Sequence, residues 1–172
     1  MAGGTGDLPA RFPGGEGGIQ MKKVVVAIDG SEASRGVVDY AIHYANREPD
    51  ADMLFLHVIA LSEHKPVFYG EGTVVIPPSD EEVKAQFEEF IKVEMEALGK
   101  TIPRMSISVR SGKVYDQIVK FAEENGAFMI MIGHRGLGAM ERFFLGSVAA
   151  KVVANAPCSV YVHRPRTEAE GK

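Results

Sequence analysis

From Met21 to about Arg164, short apolar runs alternate with stretches whose apolar residues recur every three or four positions. Runs of the first kind bury in a sheet, and stretches of the second kind lay one face against it. Their regular succession demands a largely parallel sheet with helical crossovers. Lys22 to Asp29 (KKVVVAID) is β-branched without polar alternation, the pattern of a strand covered on both faces. Ser31 offers a helix N-cap, and Ala33, Val37, Ala41 and Ala45 draw an apolar stripe to about Asn46. Asp52 to Ile59 (DMLFLHVI) is a second buried strand.

Ala60 to Pro78 is a long connection holding Pro66, Gly70, Gly72, Pro77 and Pro78. Loops of this length are commonly mobile or functional. Ser79 and Glu82 form a capping box ahead of an amphipathic helix that carries Val83, Phe87, Phe90, Ile91 and Leu98 and closes at Gly99. Met105 to Arg110 (MSISVR) is the most polar strand and belongs near a sheet edge. Val114 to Glu124 is a third helix with Ile118, Val119 and Ala122 inward, and Ala127 to Ile132 (AFMIMI) is a fourth buried strand. After a glycine-rich stretch, Ser147 to Asn155 is helical with Val148 and Val152 on one face. Pro157 stops that helix, and Cys158 to His163 (CSVYVH) is the fifth strand. The expected fold class is α/β: a doubly wound, five-stranded parallel sheet of order 3-2-1-4-5 with helices on both faces and right-handed crossovers.

The composition suits this reading. A chain of 172 residues, 45% hydrophobic and 24% charged, can bury one substantial core. The single cysteine, Cys158, has no partner for an internal disulfide and fits a reducing compartment. A net charge of −4 with interspersed signs argues against a nucleic-acid face, and no apolar run reaches the length of a membrane span. Residues 1–20 hold seven glycines and lack the apolar core of a signal peptide. They are expected to be a flexible extension, with a folded domain over 21–165 and a flexible tail over 166–172.

In a doubly wound sheet, ligands bind beyond the carboxyl ends of the strands where the winding reverses. Two strands end in distinctive chemistry: Ile28-Asp29-Gly30-Ser31, and Ile132-Gly133-His134-Arg135-Gly136-Leu137-Gly138. Glycines let several backbone N–H groups converge on a phosphate, and a helix starting near Gly146 adds its own orphan donors. The Ser147 hydroxyl can donate once more, and Arg135 can supply charge. No Gly-Lys-Ser/Thr follows, so this is not a P-loop, and the segment lies too late in the chain for the dinucleotide fingerprint. On spacing alone two readings stand together. The glycines either cradle phosphate or merely turn the chain and relieve helix–strand crowding.

The peptide Gly133-His-Arg-Gly136, then LGAMERFFL, then Gly146-Ser147 fits the pattern G-x2-G-x9-G-S/T and resembles the nucleotide-binding signature of the universal stress protein family. VVVAIDGSEAS resembles the family's opening strand and loop, LFLHVI its second strand, and FFLGSVAAKVVANAPCSVYV its closing helix and strand. The likeness runs from Met21 to about Arg164. It implies a Rossmann-like fold of the adenine nucleotide alpha hydrolase type. It also implies bound ATP, with Mg2+ or Mn2+ held mainly by the phosphates rather than by a side-chain metal site. Asp29 would lie beside the ribose or the metal-bound phosphates, and Val58 would hold the adenine through its backbone groups with Ala27 nearby. Gly133, Gly136, Gly146 and Ser147 would surround ribose and phosphates, with Ile132 and Val148 lining the site. The family's small hydroxyl residue after its first glycine is replaced here by His134, and its second proline near the last strand by Ser159.

Several residues read more plainly. His57 sits inside an apolar strand as a packed residue, and Cys158 reads as a small buried hydrophobe. Phe143 and Phe144 fall between the glycines, where one ring would either cover a ligand or join the core. No fixed lysine or catalytic-loop signature accompanies Asp29 and Arg135, so binding alone accounts for the residues seen. The expectation is a cytoplasmic ATP-binding regulatory or stress-response protein, with hydrolysis absent or slow and 60–78 as the moving part. The alternatives are an ATP-using enzyme, by nucleotidyl transfer or slow hydrolysis, and a dimeric interaction module that binds no nucleotide. Because a hydrophobic edge strand is rarely left bare, Cys158 to His163 is expected to form a homodimer.

Overall fold

A computed structural model describes residues 21–60, 67–69, 73–75, 78–134 and 145–164. Strand β1 (Lys22–Ile28) leads into helix α1 (Glu32–Arg47), followed by β2 (Ala51–Ala60), β3 (Val67–Tyr69) and β4 (Thr73–Val75). Helix α2 (Asp80–Leu98), β5 (Met105–Gly112), α3 (Val114–Glu124), β6 (Met129–Gly133), α4 (Ser147–Asn155) and β7 (Ser159–His163) complete the order. The main sheet runs β5-β2-β1-β6-β7, and every neighbouring pair in it is parallel. Counting only these five strands, the order is the expected 3-2-1-4-5. The polar third strand stands at one edge and the C-terminal strand at the other.

The non-alternating strands read as they do because each face has its own core. Val24, Val26, Ile28, Met53, Phe55 and Met131 pack with α1 and α2 on one side. Val25, Ala27, Leu54, Leu56, Ile130 and Ile132 pack with α3 and α4 on the other. Successive residues of a strand point to opposite faces, so a strand with both faces covered has no position left for a polar side chain. Helix ends follow local chemistry. Ser31 accepts the backbone N–H of Ser34 to start α1, and Ser79 with Glu82 closes a reciprocal capping box on α2. Gly99 ends α2 in the left-handed conformation at φ 60°.

The structure corrects part of the connection over 60–78. It contains an antiparallel pair, with Val67 opposite Val75 and Tyr69 opposite Thr73. The two β-branched and aromatic runs flank Gly70-Glu71-Gly72, a hairpin spacing that the surrounding prolines obscure. In α3 the fully buried residues are Ile118, Phe121 and Ala122, with Val119 half-buried.

Phe55 is fully buried on β2, beside the central strand. Phe55→Ala should lower unfolding stability by about 3–5 kcal/mol in urea titration, because the loss of transfer energy adds to a cavity that the sheet cannot collapse. A loss under about 1 kcal/mol would mean that this face is far more plastic than its packing shows.

Candidate functional site

The winding reverses between β1 and β6, and their carboxyl ends form a recess. β1 stops at Ile28, opposite His57, whereas β2 continues through Val58, Ile59 and Ala60 paired only with β5. On the other side β1 pairs with β6 at Val24–Met129 through Val26–Met131, an offset that sets Ile28 level with Gly133. A notch therefore opens above the end of β1, between a projecting β2 and the β6–β7 pair.

Three groups of polar contacts shape this notch. Asp29 Oδ1 accepts the N–H of Ser31 at 3.0 Å, while the Asp29 N–H donates to Ser34 Oγ at 3.1 Å. The Ser34 N–H in turn donates to Ser31 Oγ at 3.1 Å, so the turn and the first residues of α1 form one knot. Gly30 turns the chain at φ 76°, a conformation that a side chain would strain. On the opposite flank, His57 Nδ1–H donates to the Ile28 carbonyl at 2.9 Å, and its ring packs on Phe87 with centroids 4.4 Å apart and planes tilted by 31°. At β6, the His134 N–H donates to the His163 carbonyl at 2.8 Å, and the Gly146 N–H donates to the His134 carbonyl at 2.7 Å. The two ends of the glycine stretch are thus brought together.

Helix α4 starts at this junction. Gly146 is its N-cap residue and makes no side-chain cap bond, and its first turn contains no acidic residue. The amide donors of the first turn and the positive end of the helix dipole therefore meet the recess without a carboxylate of their own. One turn beyond Ser147, Lys151 leans on the Tyr115 ring with its Nζ 5.3 Å from the centroid, and Lys113 Nζ lies 4.7 Å from the same ring. Two ammonium groups thus share one ring of α3.

The predicted residues fall as follows. Ala27, Val58 and Ile132 are buried at 8%, 8% and 6% exposure, and all three belong to the core under α3 and α4, with Val148 packed against it. Asp29 lies just past β1 and is partly exposed; Gly133 is the buried last residue of β6. Gly146 and Ser147 open α4. Arg135 and Gly136 lie outside the described residues, as do Phe143 and Phe144. Sequence reasoning missed Ser34, which is buried at 2% and fixes the backbone of Asp29. Its signal was a second hydroxyl three residues after the N-cap. His57 is more than a packed residue, since it ties the end of β1 to β2. Burial pushes the Cys158 thiol up, with a backbone hydrogen bond at Ile130 opposing it, so the sulfur stays protonated at neutral pH.

The sequence profile of the universal stress protein family matches residues 21–164. A universal stress protein of Thermus aquaticus is 35% identical over 144 residues, which span 83% of this chain and 98% of that protein. Among solved structures, the universal stress protein from Archaeoglobus fulgidus in complex with dAMP superposes with a TM-score of 0.54 at 24% identity, covering 85% of this chain and 99% of the other. A universal stress protein family protein from Arabidopsis thaliana with AMP bound superposes at 0.57 with 18% identity, covering 87% and 96%. This chain belongs to the universal stress protein family.

Ser34→Ala removes the acceptor for the Asp29 amide and should cost about 1 kcal/mol of stability, because a part-buried N–H loses its partner. Hydrogen exchange at Asp29 should accelerate in the variant. Unchanged exchange there would show that the knot does not hold the turn.

Proposed function

We propose that this protein binds an adenine nucleotide in the recess above β1, with ATP as its physiological ligand, and acts as a nucleotide-dependent stress-response switch. The observation that carries the reading is the closure of the glycine stretch. The Gly146 N–H to His134 carbonyl bond sets Gly133, Gly146 and Ser147 around one point, beside an α4 N-terminus lacking acidic residues. Relatives of the same fold hold dAMP and AMP, which supports adenine as the base. The buried apolar walls from Ala27, Val58, Ile132 and Val148 suit a purine, and Val58 projects beyond β1 where a base would meet backbone groups. Arg135 and Gly136 complete the proposed phosphate cradle.

Among the described residues no group of three or more His, Cys, Asp or Glu side chains converges. A Mg2+ or Mn2+ ion would take most of its oxygens from the phosphates, with Asp29 nearby. Such an ion would neutralise phosphate charge. The chain's own residues would orient the nucleotide, with hydrolysis slow or absent. The switch element is 60–78, which includes the β3–β4 hairpin, and the protein acts in the cytoplasm as a homodimer joined along β7, an edge strand whose Val160 and Val162 extend an apolar face. No described helix is long and apolar enough to cross a membrane.

Denaturing freshly purified protein and analysing the released small molecules tests this reading. ATP is expected; AMP or an adenylate would favour an ATP-using enzyme, and no nucleotide with no binding on titration would favour the interaction module. Gly136→Val and Gly146→Val should each weaken ATP binding more than about tenfold, 1.4 kcal/mol, with an intact circular dichroism spectrum. Unaltered affinity in both variants would move the site elsewhere.

A further inference from the structure

We propose that His163 is a positioning residue for the glycine loop, anchoring His134 through its carbonyl while its ring, seated in a notch on α1, makes that anchor responsive to protons. The inference rests on the nucleotide reading above and adds a control element to it.

One residue here bridges three elements. The backbone carbonyl of His163 at the end of β7 accepts the N–H of His134, whose own carbonyl accepts the N–H of Gly146. The His163 ring lies flush against α1 at Gly36, where an added methyl group would overlap Nε2 and Cδ2 of the imidazole. Nδ1 stands 3.4 Å from the Tyr161 hydroxyl, a long contact, and Tyr161 stacks on Tyr40 of α1 with centroids 4.1 Å apart and planes 9° apart. The packed ring and the carbonyl that accepts from His134 belong to one residue, so forcing the ring out of its notch on α1 would strain the end of β7.

Among the described residues, the titratable and charged groups on the elements packed here are Asp39 and Tyr40 from α1, Tyr161 from β7, His134 at the end of β6 and the adjoining Arg164. Asp39 Oδ1 is buried and accepts no hydrogen bond among the described residues. Burial holds the His163 imidazole below its ordinary value of 6.5, and the Asp39 carboxylate pulls it back upward to a lesser extent. The ring is therefore neutral at physiological pH. Protonation gives the ring a charge that the Asp39 carboxylate attracts, drawing it toward Asp39 and away from Tyr161. The displaced anchor releases His134 and loosens the nucleotide site.

A depressed folded value means that the unfolded chain binds the proton more readily. Stability from the neutral ring is fully present above 6.5 and is lost as pH falls from there through the folded value. His163→Gln should flatten that slope in thermal melts.

The decisive experiment uses NMR on the full chain in a His134→Asn background, which leaves the His163 imidazole as the only one in this connection. The amide of residue 134 should titrate with the same midpoint as the His163 ring, and Asp39→Asn should shift both midpoints to lower pH. Affinity for AMP should fall several-fold between about pH 7.5 and 5.5, and the fall should vanish in His163→Gln relative to its parent in the same buffers, which cancels titration of the phosphate itself. An amide that ignores the ring, a midpoint indifferent to Asp39→Asn, or the same affinity loss in His163→Gln would overturn the proposal. Absence of AMP binding at every pH would sink the nucleotide reading instead, and the ligand-free amide titration would still decide this one.

Discussion

Strand β1 is hydrogen-bonded on both sides and buried on both faces, with Val24, Val25 and Val26 fully excluded from solvent. Everything else in the molecule is arranged around that condition. With both edges taken, the chain must leave β1 toward β2 through α1, and must come back to its other side through β6. The crossovers on the two sides therefore diverge, and nothing in the sheet covers the end of β1 itself. The recess is a topological consequence of burying this strand. It would exist with any residues in the loops above it.

What the loops contribute is fixity. Backbone at the carboxyl ends of strands has lost its ladder partners, and each exposed N–H or carbonyl needs another. Ser34 supplies one for Asp29, His57 for Ile28, and His163 for His134. These tethers come from α1, β2 and β7, so the rim of the recess is held by the same elements that build the two cores. Such a rim can present backbone donors to an anion without reorganising on binding, which is the condition under which fixed dipoles are most effective. The absence of acidic residues from the first turn of α4 keeps those donors from being screened by the protein's own charge.

The architecture was legible in the sequence because it rests on local periodicity. Runs such as KKVVVAID and AFMIMI announce two-sided burial, and MSISVR announces an edge, each without reference to any other segment. Asp29, Gly133, Gly146 and Ser147 could likewise be singled out from strand ends and a helix start, whereas Ala27, Val58 and Ile132 are marked through the family resemblance. The contacts that lock the rim could not. His57 with Ile28, and His163 with Gly36, join residues far apart in the chain, and their partners are a carbonyl or the bare face of a glycine rather than a complementary side chain. No pattern in the sequence marks such pairs. The β3–β4 hairpin was missed for a different reason: Pro66, Pro77 and Pro78 spoke for an irregular loop more loudly than three-residue strands could speak against it.

The central claim is that the end of β1, rather than any other surface, receives an adenine nucleotide. Amide chemical-shift mapping on titration with ATP and Mg2+ addresses it directly. The account predicts saturable shifts concentrated at Asp29, Val58, Gly133, Gly146 and Ser147, with Phe128 and other residues at the amino ends of the strands unmoved. Shifts that fail to saturate, or that cluster away from the carboxyl ends of β1 and β6, would contradict it.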